Sequence, residues 1–393
     1  VILLAVVADC PAAYSGEVEA WGRNNWGQAV EPSPNGDFVA VAAGEGHSLG
    51  LRADGSIVAW GRNDFGQCEV PSPNTGYVAV AAGMFHSIGL RSNGTVVAWG
   101  DNTYGQCNVP YPNTGFVGIA AGWSHTLGLK SDGSVLGWGM NYYGQCTVPS
   151  PNLGFLALAA GYDHSLGLRA DGTIAAWGRN HYGQCNVASP NQGFVAVSAG
   201  GDHSLGLRDD GSVAAWGRND YGQCNVAVPN VDFVDVAAGS WHSMGLKSYG
   251  AIVVWGRNDY GQRTVPSPNE GFAALAGGEF HCLGVKEFTG VGGEVSAQTG
   301  QASPVIAQVF PNPARESVSV ALETPASAGL SLQAFDTSGR LVWNMELGDL
   351  PAGRHMVSWD TRGVSGEQVP AGVYIVMLRG AGSLDTARVI ILR

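Results

Sequence analysis

Apolar positions recur along most of the chain in two short patterns that alternate. The first is a near-continuous run such as FVAVAAG or FVGIAAG, followed two residues later by His and a second run such as SLGLR. The second is a brief stretch, VVAWG or VLGWG, that follows a polar turn. Short apolar runs with these flanks predict strands rather than helices. The turns carry Asp-Gly or Asn-Gly, as at Asp54-Gly55, Asn93-Gly94, Asp132-Gly133, Asp171-Gly172 and Asp210-Gly211. Those dipeptides supply the positive φ angles of tight hairpins.

The patterns keep one register. Trp21, Trp60, Trp99, Trp138, Trp177, Trp216 and Trp255 are each 39 residues apart, as are His47, His86, His125, His164, His203, His242 and His281. Each Trp opens a WGxNxxGQ segment. A lone unit of this kind cannot bury its apolar faces, so neighbours must cover them, and four antiparallel strands per unit are expected. The array enters on a Trp half, SGEVEAWGRNNWGQ, and leaves on a His half, FAALAGGEFHCLGVKEF. Pairing the halves completes a seventh unit and leaves no exposed edge. The expected fold class is all-β, with a seven-bladed β-propeller over residues 14–288 closed by its terminal half repeats.

The texture then changes. TGVGGEVSAQTGQASP reads as a linker over 289–304. Residues 305–393 alternate short strands such as SVSVALE, LSLQAF and VYIVMLR with turns, which predicts a small Ig-like β-sandwich. The opening VILLAVVADCPAAYSG resembles the apolar core of a secretory signal peptide, so residues 1–13 are expected to be its remnant; a first buried strand is the alternative.

Charge narrows the partners. The net charge of −12 is uneven: residues 1–302 carry 13 Lys and Arg against 24 Asp and Glu, or −11, and residues 303–393 carry 7 against 8, or −1. So acidic a chain repels phosphate backbones, which argues against nucleic acid. No apolar run reaches the ~20 residues of a membrane span.

Repeated groups read as architecture. Zinc needs ligands at ~2.0–2.1 Å, whereas equivalent atoms in adjacent blades of a seven-fold ring lie roughly 0.87 radii apart, so the histidines are expected to bond backbone within their own blades rather than a metal. Cys68, Cys107, Cys146, Cys185 and Cys224 share a register too distant for pairing and are expected to be free thiols, while Cys10 and Cys282 are a conceivable pair. No nucleophile elbow, phosphate loop or zinc-protease motif is present, so no catalysis and no cofactor are expected. His181 is the one irregular base in the array and is expected to be a solvated loop residue.

Two registers are candidates for binding. An aromatic precedes each Gly-Gln: Trp26, Phe65, Tyr104, Tyr143, Tyr182, Tyr221 and Tyr260. Packing is the first reading and a contact surface the second. The dipeptide before each His is unconstrained: Glu45-Gly46, Met84-Phe85, Trp123-Ser124, Tyr162-Asp163, Gly201-Asp202, Ser240-Trp241 and Glu279-Phe280. A closed ring would gather these turns on one face, where large side chains imply a partner. Met84, Phe85, Trp123, Tyr162, Asp163, Asp202, Trp241 and Phe280 are therefore the expected contact residues.

The repeated AAGxxHSLxLxxDGxVxAWGxNxxGQ unit resembles that of the regulator of chromosome condensation superfamily. The continuation GQCEVPSPNTG and GQCNVPYPNTG is similar to its secreted bacterial branch, which includes β-lactamase inhibitor protein II, and argues against exchange activity on a small GTPase. The C-terminal order FPNP, DTSGRLV, LPAGRHMVSWD, SGEQVPAGVYIVML, TARVIIL resembles the sorting domain of type IX secretion, related to the flagellar hook-capping family. Together these imply an exported, monomeric bacterial protein, secreted or surface-attached, that binds a protein or a glycan on one propeller face. A polysaccharide hydrolase or lyase is the rival class.

Overall fold

A computed structural model describes residues 15–287 and, toward the C-terminus, 305–310, 317–324, 328–336, 341–364, 366–369, 372–380 and 383–391. Among these residues there is no helix. The chain divides into two compact units, taken separately below.

The first unit opens with β1 (Gly16–Gly22), followed by β2 (Phe38–Ala43), β3 (His47–Arg52) and β4 (Ile57–Gly61). A triple like β2 to β4 recurs as β5 (Tyr77–Ala82), β6 (His86–Arg91) and β7 (Val96–Gly100). It recurs again within residues 116–139 (β8 to β10), 155–178 (β11 to β13), 194–217 (β14 to β16) and 233–256 (β17 to β19). Only two strands of the last set follow, β20 (Phe272–Gly277) and β21 (His281–Glu287). Their missing neighbour is β1, which runs antiparallel to β21 with Trp21 opposite Cys282 and Gly22 opposite His281. Head and tail thus share one blade.

Each blade holds three strands where four were expected. The outer strand's edge is covered by a side chain. Asn113 accepts from the Val96 amide and donates to the Val96 carbonyl, both at 2.8 Å, as a neighbouring strand would. Asn35, Asn74, Asn152, Asn191, Asn230 and Asn269 do the same for Val18, Ile57, Val135, Ile174, Val213 and Ile252. An unpaired strand edge is a liability, and the asparagine caps it without further backbone.

Seams between blades are apolar, with polar stitches. Ile88, Leu90 and Val96 of one blade pack with Phe116, Ile119 and Trp138 of the next. The Gln67 carbonyl accepts from the Trp99 indole at 2.9 Å and from the Ser87 hydroxyl at 2.8 Å. That hydroxyl is then free to accept from His47 Nε2, 3.0 Å away. The histidines therefore reach across to the next blade instead of bonding backbone in their own, and the hydroxyl's commitment to Gln67 places the imidazole proton on Nε2. The series runs His86 to Thr126, His125 to Ser165, His164 to Ser204 and His203 to Ser243, then His242 to the thiol of Cys282, and His281 returns to Ser48 at 3.0 Å. The chain of bonds ends where it began, so the seven blades form a closed cycle.

The second unit contains β22 (Val305–Phe310), β23 (Val318–Thr324), β24 (Ala328–Asp336), β25 (Leu341–Leu350), β26 (Gly353–Trp359), β27 (Gly372–Gly380) and β28 (Ser383–Ile391). One sheet runs β22-β23-β26 and the other β25-β24-β27-β28. They enclose a core of Val320, Leu332, Val376 and Val389, with Trp343 stacked on Trp359 at 5.4 Å. The expected signal remnant, linker and Cys10 lie outside the described residues. Cys282 is a buried free thiol.

Candidate face of the ring

Each inner strand ends in a small residue and a glycine, and the first residue of each variable dipeptide follows. The glycine is obligatory: a Cβ at Gly83 would collide with the His86 ring and the Gly122 carbonyl. These seven turns are laced edge to edge. The Met84 amide donates to Trp123, Trp123 to Gly161, Tyr162 to Gly201, Ser240 to Gly278 and Glu279 to Gly44, each at 3.1 Å, and Gly201 to Ser240 at 3.3 Å. Glu45, Met84, Trp123, Tyr162, Gly201, Ser240 and Glu279 consequently all line one axial cavity of about 130 Å³.

The lining breaks the symmetry of the ring. Glu279 and Glu45 adjoin as an acidic arc, Met84, Trp123 and Tyr162 form an apolar arc, and Gly201 and Ser240 leave open space. Trp123 and Tyr162 lie with ring centroids 4.3 Å apart. Tyr162 extends over Gly201, where a Cβ would come within 2.9 Å of its ring. Burial, then the charge of Glu45, pushes the Glu279 carboxyl up to about 7 against the opposing pull of Arg23 and Arg257. Glu45 is also raised by burial, with Arg62 and Arg23 opposing.

The second residue of each pair packs outward, not into solvent. Ser124, Asp163, Asp202 and Phe280 are buried, and Phe85 and Trp241 are half-buried. That corrects the expectation of exposed turn residues. Their neighbours explain it: Phe65 stacks on Phe85 at 4.9 Å, Tyr221 meets Trp241 edge-on at 5.6 Å, and Tyr260 lies 5.1 Å from Phe280. The aromatics before Gly-Gln are the more exposed set, Trp26 at 36%, Phe65 at 47% and Tyr104, Tyr143, Tyr182, Tyr221 and Tyr260 between.

Arginines fill the spaces between these rings. Arg62 lies over Trp26 and Phe85 at 4.8 and 4.6 Å, Arg218 over Tyr182 and Trp241 at 4.6 Å each, and Arg257 over Tyr221 at 4.6 Å. They also reach carboxylates: Arg179 bridges Asp163 at 3.5 Å and Asp202 at 3.8 Å, and Arg62 reaches Glu45 at 3.4 Å. These arginines and the two glutamates are absent from the contact residues expected from the sequence. A signal existed, since the position two after each Trp is Arg in five units and Asp101 or Met140 in the others. The arc without arginine is the one beside Met84 and Trp123, for Asp101 bonds the Phe85 carbonyl and Met140 that of Ser124.

The remaining polar repeats are structural. The Cys107 thiol donates to the Asp101 carbonyl, and burial pushes it up to about 12, so it is a poor nucleophile. His181 is exposed and accepts from Arg179 Nε at 2.8 Å. Among the described residues no group of His, Cys, Asp and Glu is arranged to hold a metal ion, and no helix is long and apolar enough to cross a membrane.

Six segments, residues 38–67, 77–106, 116–145, 155–184, 194–223 and 233–262, match the regulator of chromosome condensation (RCC1) repeat, and residues 309–382 match the FlgD Ig-like domain. Among solved structures, Prp20p of Saccharomyces cerevisiae, described with its binding to Gsp1p and histones, is 19% identical at a TM-score of 0.62, over 73% of this chain and 94% of that one. Human WBSCR16 is 20% identical at 0.57, over 70% and 99%. The ectodomain of the receptor kinase CR4 of Physcomitrella patens is 25% identical at 0.53, over 64% and 70%. These likenesses establish the fold. No curated protein matches the chain.

Proposed function

We propose that this chain, a regulator of chromosome condensation repeat protein with an Ig-like C-terminal unit, is an exported bacterial binding protein that holds a protein partner on the cavity-bearing face of its ring. The observation that carries the reading is the convergence of both candidate registers on that face: a cavity lined by Met84, Trp123 and Tyr162, surrounded by half-exposed aromatics interleaved with arginines. Aromatic and arginine side chains dominate binding energy at protein interfaces. Acids outnumber arginines around the face, which favours a basic partner surface. Nothing in the arrangement supplies a paired nucleophile and base, so binding without chemistry is the reading.

A glycan is the second ligand class, favoured by the exposed aromatic row, whose flat faces suit sugar rings. The Ig-like unit is read as the export or surface-attachment signal; its FlgD-type match and motif order support that role. The test of the face uses the full chain as bait in its native environment. Replacing Trp123 and Trp241 with Ala is expected to weaken the recovered partner at least about tenfold while leaving the ring folded, at a lower melting temperature. Unchanged affinity in a folded double variant overturns the assignment.

A further inference from the structure

The cavity's lining is specific about charge. Glu45 Oε1 faces Arg62 at 3.4 Å, but Glu45 Oε2 is buried with no hydrogen-bond partner. Glu45 and Glu279 both line the cavity, so its acidic arc attracts a cation that enters. Opposite in kind are Trp123 and Tyr162, packed against each other with Met84 alongside. Aromatic faces attract cations, most strongly where water is excluded. Behind Met84 and Trp123 the arginine is replaced by Asp101 and Met140, which leaves that arc with less fixed positive charge than the rest of the ring, Arg62 lying over Phe85 at 4.6 Å.

We propose that the axial cavity receives the ammonium group of a lysine side chain from the protein partner, seated between the Trp123 and Tyr162 rings and the Glu45 and Glu279 carboxylates. The proposal rests on the reading that this face binds protein. A lysine ammonium meets two carboxylates as a compact point charge, whereas a guanidinium calls for a planar, forked set of acceptors, and lysine is the better match to this lining. Tyr162, held over Gly201, forms one wall. Glu279 faces Glu45, Arg23, Arg257 and Tyr162, and its carboxyl at about 7 gives the site a pH response. Between pH 6 and 8 Glu279 loses its proton while a lysine keeps its own, so binding strengthens as pH rises.

The test needs no natural partner. The full chain is titrated with Nα-acetyl-lysine amide, and with the arginine and norleucine amides, while the Trp123 indole N–H resonance is followed by NMR, assigned through Trp123→Phe. The expected result is saturable binding of the lysine amide, at least about fivefold tighter than either analogue and tighter at pH 8 than at pH 6. Glu45→Gln and Glu279→Gln, which keep the shape, each weaken it, and Gly201→Ala does so by displacing Tyr162. Equal binding of norleucine amide, or no saturation in the folded chain, overturns the proposal. The two readings separate cleanly. A partner captured equally well by wild type and the Glu45→Gln/Glu279→Gln variant removes the lysine site and keeps the face, whereas lysine-amide binding without any face-dependent partner does the reverse.

Discussion

At the residue scale the histidine ring is the most consequential feature. Each of the seven imidazoles is wholly buried, and burial pulls His47, His125, His164, His203 and His281 down to about 3 and His86 and His242 to about 4. In the unfolded chain each returns to about 6.5. Between those values the unfolded state binds more protons, so stability rises with pH; it is complete above about 6.5 and lost as pH falls toward 3–4. The urea midpoint is expected to be flat from pH 8 to 7 and to fall steeply from pH 6 to 4. A midpoint indifferent to that range would mean the rings are not neutral, buried donors. The sequence made the histidines legible as core residues through their register. It hid their partners, because a hydroxyl forty residues downstream becomes a neighbour only when blades stack. Glu45 and Glu279 were named among the variable pairs but not among the expected contact residues, and for a related reason their pairing was hidden: 234 residues apart in sequence, they adjoin only after the ring closes.

At the scale of the element, strand positions followed directly from apolar runs and hairpin dipeptides, but strand number did not. Four strands per unit were expected, and the asparagine that follows the proline of each PSPN-like stretch is the device that dispenses with the fourth. Replacing Asn113 with Ala leaves the Val96 amide and carbonyl unpaired at an open edge, and is expected to lower unfolding free energy by about 1–3 kcal/mol. Chemical denaturation measures this, and a change within error would show that solvent serves the edge equally well. The variable dipeptides were rightly separated from the fixed frame. Their exposure was misjudged because a turn's side chains can be covered by the next blade's loop, which a single repeat does not reveal.

For the whole molecule, closure was legible in the two unequal ends of the array, since only complementary halves finish a blade. The role of the C-terminal unit is a matter of the entire chain and is read out by location. Expressed in a bacterium that possesses type IX secretion, the full chain is expected in the medium or on the surface, and the chain lacking residues 305–393 is expected to stay behind. Equal export of both would reduce the sandwich to a spacer. The seams of the ring carry one further implication. Every blade is bolted to the next by the same His-to-hydroxyl link and the same Trp-to-Gln link, save for the thiol at Cys282, so the mounting is indifferent to which dipeptide it carries. Shifting all seven dipeptides by 39 residues would turn the pattern of acids, rings and gaps by one seventh of a revolution about the axis, like the letters on a type wheel. What changes is only the direction from which a ligand finds its match.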